Sequence, residues 1–292
     1  MLDAQANPAE ALLLNGLLCQ ACAFAGFAGD ALKAISAALD MIDRDRRGDA
    51  AVVLGLTVGQ MVGFDVPHWI KCLQVRSLIM LGRFSDADDR LARLFQVDPA
   101  EAELLHQGIP HYYAVELAWF RNDTLAATRH ANQVARIATQ AAIPYWMVLA
   151  SFCQGLAAST VGDFSEADGF FQQALDASRR GKAGLEFEAR ILAFQTDNLM
   201  RAGNLERASE LVTETIGVAR RKADRTAECH ASLVGVAVAR TRGGAQYADE
   251  ARGLLSRAEA LINETGAKAY EPIMLRVRAE REEISLASSR RP

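Results

Sequence analysis

The chain is predicted to be all-α, a right-handed superhelical solenoid of antiparallel helix hairpins, and three observations carry that prediction. Of its 292 residues, 53 are alanine and only 7 are proline, a composition that favours helices because Ala costs least in a helix interior and Pro is nearly excluded from one. A short motif recurs about every forty residues. No segment shows the sustained apolar–polar alternation of a half-buried strand, whereas three-to-four spacing is common.

The recurrence is clearest in Gly82-Arg83-Phe84-Ser85-Asp86-Ala87-Asp88, which returns as Gly162-Asp163-Phe164-Ser165-Glu166-Ala167-Asp168. Halfway between them, Asn122-Asp123-Thr124-Leu125-Ala126-Ala127 keeps the turn chemistry without the glycine. Gly203 with Ala208 and Gly243 with Ala248 continue the series, so the anchors fall at 82, 122, 162, 203 and 243. Gly26 with Ala31 is a further copy, 56 residues ahead of Gly82. Regular spacing of this kind is the signature of stacked repeats, each able to bury its apolar face only against its neighbours.

Each element of the hairpin has a physical reason. Gly tolerates the positive φ that ends a helix, and Asn is the next best residue there. The Phe or Leu that follows plugs the corner. Ser85 with Asp88, and Ser165 with Asp168, match a capping pattern for the second helix. Ala five residues after the anchor lets the two helices approach to about 8–10 Å. Residues 144–161 and 185–202 read as apolar helices before an anchor, and 164–180 and 205–222 as amphipathic helices after one. In 164–180, Ala167, Phe171, Ala174 and Leu175 share a face opposite Gln172, Gln173 and Asp176.

The other corner is marked by Pro67-His68-Trp69, Pro110-His111-Tyr112 and Pro144-Tyr145-Trp146. Pro suits the first turn of a helix, where its missing N–H is not needed, and the aromatic after it fits the seam between hairpins. The Pro110 copy is out of phase with a helix start near residues 99–101, so that helix is either kinked or begins late. These elements divide the chain into one helical-repeat domain at 1–287, with a disordered tail at 288–292. Within the domain, an N-terminal hairpin and an extra helix occupy 8–63, the repeats 67–264 and a capping helix 268–287.

The formal charge of −4, from 32 basic and 36 acidic residues without a long basic stretch, argues against a nucleic-acid binder, which needs concentrated positive charge to displace counterions. Five cysteines in a chain of this size read as reduced thiols in a cytoplasmic protein. Asp3 and Glu10 stand where a secretory signal would need positive charge. The uncharged stretches 11–29 and 137–162 are each interrupted by polar residues, Gly or Pro before reaching the roughly 20 apolar residues of a spanning helix. No membrane association is expected.

The Gly–Phe/Leu–Ala hairpin turn resembles the tetratricopeptide family, although the period is about forty residues rather than that family's usual 34. The segments from Tyr145-Trp146-Met147 through Gln154-Gly155-Leu156-Ala157 to Gly162-Asp163, and from Asn198-Leu199-Met200-Arg201-Ala202-Gly203 through Glu206, Ala208 and Leu211 to Thr226-Ala227-Glu228, point to a narrower group. They are similar to the carboxyl-terminal repeat region of bacterial signalling ATPases, which includes maltose-activator-type regulators and cyclase-linked ATPases. The ending, Ala258-Glu259-Ala260-Leu261-Ile262 through Gly266-Ala267 and Tyr270-Glu271-Pro272 to Ala279-Glu280, resembles that group's closing repeat. The resemblance covers roughly 67–284 and implies an architecture rather than an activity. No Gly-x-x-x-x-Gly-Lys-Ser/Thr loop is present, so the chain reads as a separated repeat region or a stand-alone relative.

Candidates for chemistry are few. Cys19-Gln20-Ala21-Cys22 has redox spacing but sits in an apolar helix, which points to core packing. Glu103, His106 and His111 could be imagined as metal ligands, but His106 and His111 lie five apart and point about 140° apart on a straight helix. His68, His130 and His230 read as isolated. Asp197 and Asn198, near Gln195 and Arg201, are either exposed on the inner wall or part of a ligand-contacting cluster. Lys71, Arg76, Asn198 and Arg201 are residue types used to clamp peptide carboxylates. Trp69, Tyr112, Trp119, Tyr145 and Trp146 read as hairpin packing or, if exposed on the concave side, as interface anchors.

These readings converge on a non-catalytic protein-interaction or regulatory module with a long inner groove and neither cofactor nor metal, working in bacterial signal transduction or transcription control. The groove candidates are Trp69, Lys71, Arg76, Tyr112, Tyr145, Trp146, Asp197, Asn198 and Arg201. The alternative is a domain that senses a peptide or small molecule in that groove; a metal-dependent hydrolase ranks third. A protein or peptide partner is expected, and self-association through a terminal repeat is open because neither end is strongly polar.

Overall fold

The computed structural model describes residues 8–45, 65–96 and 104–279. The expected extra helix before residue 63, the helix start near 99–101, the end of the capping helix and the tail lie outside those residues.

The fold is the all-α superhelical solenoid of antiparallel hairpins that the sequence predicts, with no strand among the described residues. Helices α1 (Pro8–Ala25) and α2 (Ala28–Asp45) form the first hairpin, and α3 (Val66–Met80) and α4 (Phe84–Leu94) the second. They are followed by α5 (Leu104–Arg121) with α6 (Thr124–Ala141), and α7 (Pro144–Val161) with α8 (Phe164–Gly181). A 3-10 turn, Leu185–Phe187, leads into α9 (Glu188–Arg201), which pairs with α10 (Leu205–Arg221). Helices α11 (Arg225–Arg242) and α12 (Ala245–Thr265) form the sixth hairpin, and a second 3-10 turn, Lys268–Tyr270, opens a helix over 271–279. Each helix packs on the next in sequence, and α1 on α3, α3 on α5, α5 on α7 and α9 on α11, so the first helices of the hairpins form the inner layer.

The turn anchors behave as their chemistry requires. Gly26, Gly82, Gly162, Gly203 and Gly243 all have positive φ, and so does Asn122, at 54°. Ala31, Ala87, Ala127, Ala167 and Ala208 are fully buried at the crossings. The last copy departs from this pattern: Ala248 is exposed and Ala251 is the buried residue. Gly244 follows Gly243 with φ 95° and ψ 156°, an extended step that rotates the start of α12 relative to the earlier repeats.

The caps also differ from expectation. Asp123, Asp163 and Asn204, each immediately after its anchor, accept hydrogen bonds from Ala126 N, Glu166 N and Arg207 N. Ser85 and Ser165 are therefore not the caps, because the extended residue before the helix, whose side chain can reach the free amides, sits two positions earlier. Asp88 and Asp168 instead bridge repeats: Asp88 pairs with Arg121 at 2.5 Å, and Asp168 pairs with Arg207 at 3.0 Å while accepting from Gln195 at 2.7 Å. Pro110 lies inside α5, which begins before it.

The superhelix is tight enough that its ends meet. Arg225 of α11 stacks over Phe27 at 4.7 Å, Gly26 lies against Thr226, and Gly82 lies against Lys268 and Ala269. One buried cluster runs from Ala28 to Val277. Rings carried by the inner helices meet across the axis: Trp119 with Phe194 at 4.7 Å, Phe194 with His230 at 4.9 Å, and His230 with Tyr270 at 5.4 Å. The expected long open groove is therefore largely filled by the bulky side chains of the inner helices themselves.

Candidate functional site

What remains open on the inner side is a cavity of about 330 Å³ between α1, α3, α5, α7 and the Leu185–Phe187 turn. Helix α3 places Trp69, Cys72 and Leu73 along it, because Asp65 caps that helix through His68 N at 3.0 Å and Pro67 starts its first turn. Helix α5 contributes Ile109, Tyr112 and Tyr113, α7 contributes Tyr145, α1 contributes Gln20 and Phe24, and the 3-10 turn contributes Glu186 and Phe187. The rings pack on one another: Tyr112 and Tyr113 at 4.9 Å, Tyr112 and Phe187 at 5.5 Å, Tyr145 and Phe187 at 6.1 Å, and Phe24 and Phe187 at 5.9 Å.

Beneath this lining lies a buried ionic floor. Arg190 donates to the Tyr112 hydroxyl at 2.9 Å and stands 3.5 Å from Asp224, which also caps α11 through Ala227 N. Arg76 stands 3.4 Å from Glu116 and donates from Nε to the Ala23 carbonyl at 3.2 Å. Both guanidinium groups flank the Phe24 ring, at 5.4 Å for Arg76 and 4.7 Å for Arg190. Burial works against the charge of Arg190, but Tyr112, Asp224 and Glu116 outweigh it and raise its pKa above the usual value. Burial pushes the Tyr112, Tyr113 and Tyr145 hydroxyls well above the ordinary phenol range, and Glu186 adds to the shift at Tyr145. All three are neutral donors at physiological pH.

The candidates read from the sequence divide. Trp69, Tyr112 and Tyr145 come together on the cavity. Arg76 lies below it in the ionic floor. Lys71 sits beside Cys72 on α3, half-buried and off the cavity lining. Trp146 is buried against Gly108 of α5, where a Cβ would fall 2.1 Å from its ring. Asp197, Asn198 and Arg201 form a corner elsewhere. Asn198 donates to the Phe164 carbonyl at 2.8 Å, and Arg201 donates to Ser159 at 3.1 Å while standing 3.7 Å from Asp197. Phe24, Tyr113, Glu186 and Phe187 were not singled out from the sequence. Tyr113 follows a Pro-His-Tyr corner, which is a usable signal; the other three come into place only through chain closure.

The remaining chemistry candidates are structural. The described cysteines are free thiols, and burial pushes Cys19 and Cys229 up to about 12. His111 and His130 are paired, Nδ1 to Nδ1 at 2.7 Å, with Phe95 stacked on both, so His130 is not isolated. His230 is enclosed by Trp119, Phe194 and Tyr270, and His68 lines the cavity. Glu103 and the side chain of His106 lie outside the described residues, among which no three His, Cys, Asp or Glu side chains cluster to hold a metal ion. No helix among the described residues is long and apolar enough to cross a membrane; the uncharged stretch 137–162 is broken at Ala142–Pro144.

No protein-family model matches the chain, and no curated protein matches it by sequence. Among solved structures it is similar to a Rap protein complexed with competence and sporulation factor, at 12% identity and a TM-score of 0.57, covering 91% of this chain and 80% of that one. With the hairpin array, this likeness places the fold among tetratricopeptide-like helical repeats.

Proposed function

We propose that the chain is a non-catalytic recognition module of regulatory type that holds a protein or peptide segment on its inner side, with the aromatic cavity receiving an apolar side chain of that partner. The observation that carries this reading is the cavity itself: rings from five separate elements, held by a rigid scaffold, leave space without ordering any loop, so an occupant meets a preformed site. The buried titratable groups around it serve as ion pairs, caps and neutral donors, roles that suit a scaffold. The likeness in fold to a Rap protein in complex with a factor supports the same reading. Following the resemblance to the repeat regions of signalling ATPases, we place the module in the cytoplasm, in bacterial signal transduction or transcription control, as one helical-repeat domain over residues 1–287.

The test is a peptide array varied at one apolar position, read against wild type and Ile109→Trp, which fills the cavity from α5. Peptides bound by wild type are expected to lose about tenfold or more in affinity with the variant, a loss of about 1.4 kcal/mol or more, while helicity is kept. Equal binding by both proteins rejects the cavity as the recognition site.

A second reading, a small-molecule sensor, is favoured by one feature. The cavity wall joins Gln20 and Phe24 of the first hairpin to Glu186 and Phe187 before the fifth, so an occupant would tie distant repeats and alter superhelical pitch. Stabilisation by a small ligand alone in a thermal-shift screen supports it. Self-association is proposed through α1, which exposes Leu14, Leu17 and Leu18 on its outer side; light scattering on Leu17→Glu tests it.

A further inference from the structure

We propose that the inner cavity selects an organic cation, a primary or quaternary ammonium on a short aliphatic stem, held among the rings of Trp69, Tyr113 and Tyr145 and facing the carboxylates of Asp65 and Glu186. The assignment rests on the cavity being the recognition site and specifies what that site takes.

Charge decides the class. No lysine or arginine lines the cavity, whereas Asp65 and Glu186 do. The two guanidinium groups nearest the floor stand against the Phe24 ring, and each faces a buried carboxylate of its own, Arg76 with Glu116 and Arg190 with Asp224. The floor is therefore neutral in sum, and the lining carries two negative charges. An anion would meet only carboxylates and the faces of electron-rich rings. A cation meets both in their favourable sense, since a desolvated ammonium over an aromatic face gains about 2 kcal/mol or more. The side chain of Glu186 is exposed, which places its carboxylate toward solvent, where an ammonium would enter. At about 330 Å³ the cavity lies at the small end of ligand pockets, suited to one headgroup and a few methylenes. Tyr112 is already committed to Arg190 and holds the floor in place.

The experiment titrates the full chain with choline and with 3,3-dimethylbutan-1-ol, its uncharged carbon isostere, by calorimetry. Choline is expected to bind about tenfold tighter than the alcohol, the effect of about 1.4 kcal/mol of charge recognition. Glu186→Gln, a change at an exposed position, is expected to remove most of that difference by weakening choline alone. Equal or tighter binding of the alcohol overturns the cation assignment while leaving an apolar recognition cavity in place. Binding of neither probe, or a choline affinity indifferent to Glu186→Gln, overturns it as well. The recognition reading itself is judged separately, by the peptide response to Ile109→Trp.

Discussion

The two ends of the inner axis use similar residues with opposite results. Toward the C-terminal repeats, Trp119, Phe194, His230 and Tyr270 meet edge to face and fill the axis, with Tyr270 delivered by the Lys268–Tyr270 turn. Toward the N-terminal repeats, Trp69, Tyr113, Tyr145 and Phe187 line a space that no side chain fills. The difference lies in what stands beneath the rings. At the filled end the packing is almost wholly aromatic, so dispersion favours closing every gap. At the open end two paired arginines hold the floor apart, because moving them would leave a buried charge without its partner. Aromatic content on the inner helices thus identifies the axis but does not distinguish a core from a site.

The largest test removes that floor. Arg190→Ala leaves Asp224 and the Tyr112 hydroxyl buried without their partner and is expected to cost about 3–5 kcal/mol in denaturant unfolding, together with the cavity's capacity for any probe. Arg190→Met, of similar volume, should destabilise less. The converse is Tyr270→Ala, which opens the filled end. A loss of about 3 kcal/mol is expected, along with a new site for a small apolar probe; full stability would show that Tyr270 does not seal the axis.

A smaller effect sharpens the contrast between the inner axis and the outer helices. His111 and His130 are each lowered from 6.5 to about 4, by burial first, then by His130 and nearby Arg136 and Arg129 on His111 and by Arg129 on His130, with Asp123 opposing the shift at His130. The folded state therefore favours neutral imidazoles, and as pH falls below 6.5 the unfolded chain takes up protons first. The pair's contribution is present above pH 6.5 and is lost as pH falls toward about 4. Melting temperatures should drop over that interval, and His130→Asn should flatten the slope; parallel profiles would deny the pair this role. The smallest expected effect is a gain. Ala223 turns the corner into α11 with φ 55°, a strained conformation for a residue with a Cβ, so Ala223→Gly should stabilise by about 1 kcal/mol.

Much of the local architecture was legible because its causes are local. Positive φ at Gly82, Gly162 and even Asn122, and small residues at 87, 127, 167 and 208, follow from backbone sterics within one turn. The caps were misplaced by two residues because the Ser-x-x-Asp pattern resembles a capping box, while Asp123, Asp163 and Asn204 stood nearer the helix start. Of the cavity, Trp69, Tyr112 and Tyr145 were legible as aromatics at proline corners. Asp197, Asn198 and Arg201 carried the same polar signal as a binding cluster, but that pattern says nothing about which carbonyls and hydroxyls lie opposite.

The polypeptide's own order of residues determined that hairpins form, where they turn and that they stack, since periodicity, turn propensity and small crossings act over a few residues. Only the tertiary structure decided how tightly the stack curls, and with it which inner side chains are core and which face a cavity. That outcome depends on contacts such as Arg190 with Tyr112, 78 residues apart, and on the ends of the array meeting at Phe27 and Arg225. A small change in the rotation between neighbouring hairpins accumulates along the array, so closure is a property of their sum and is not encoded in any one repeat.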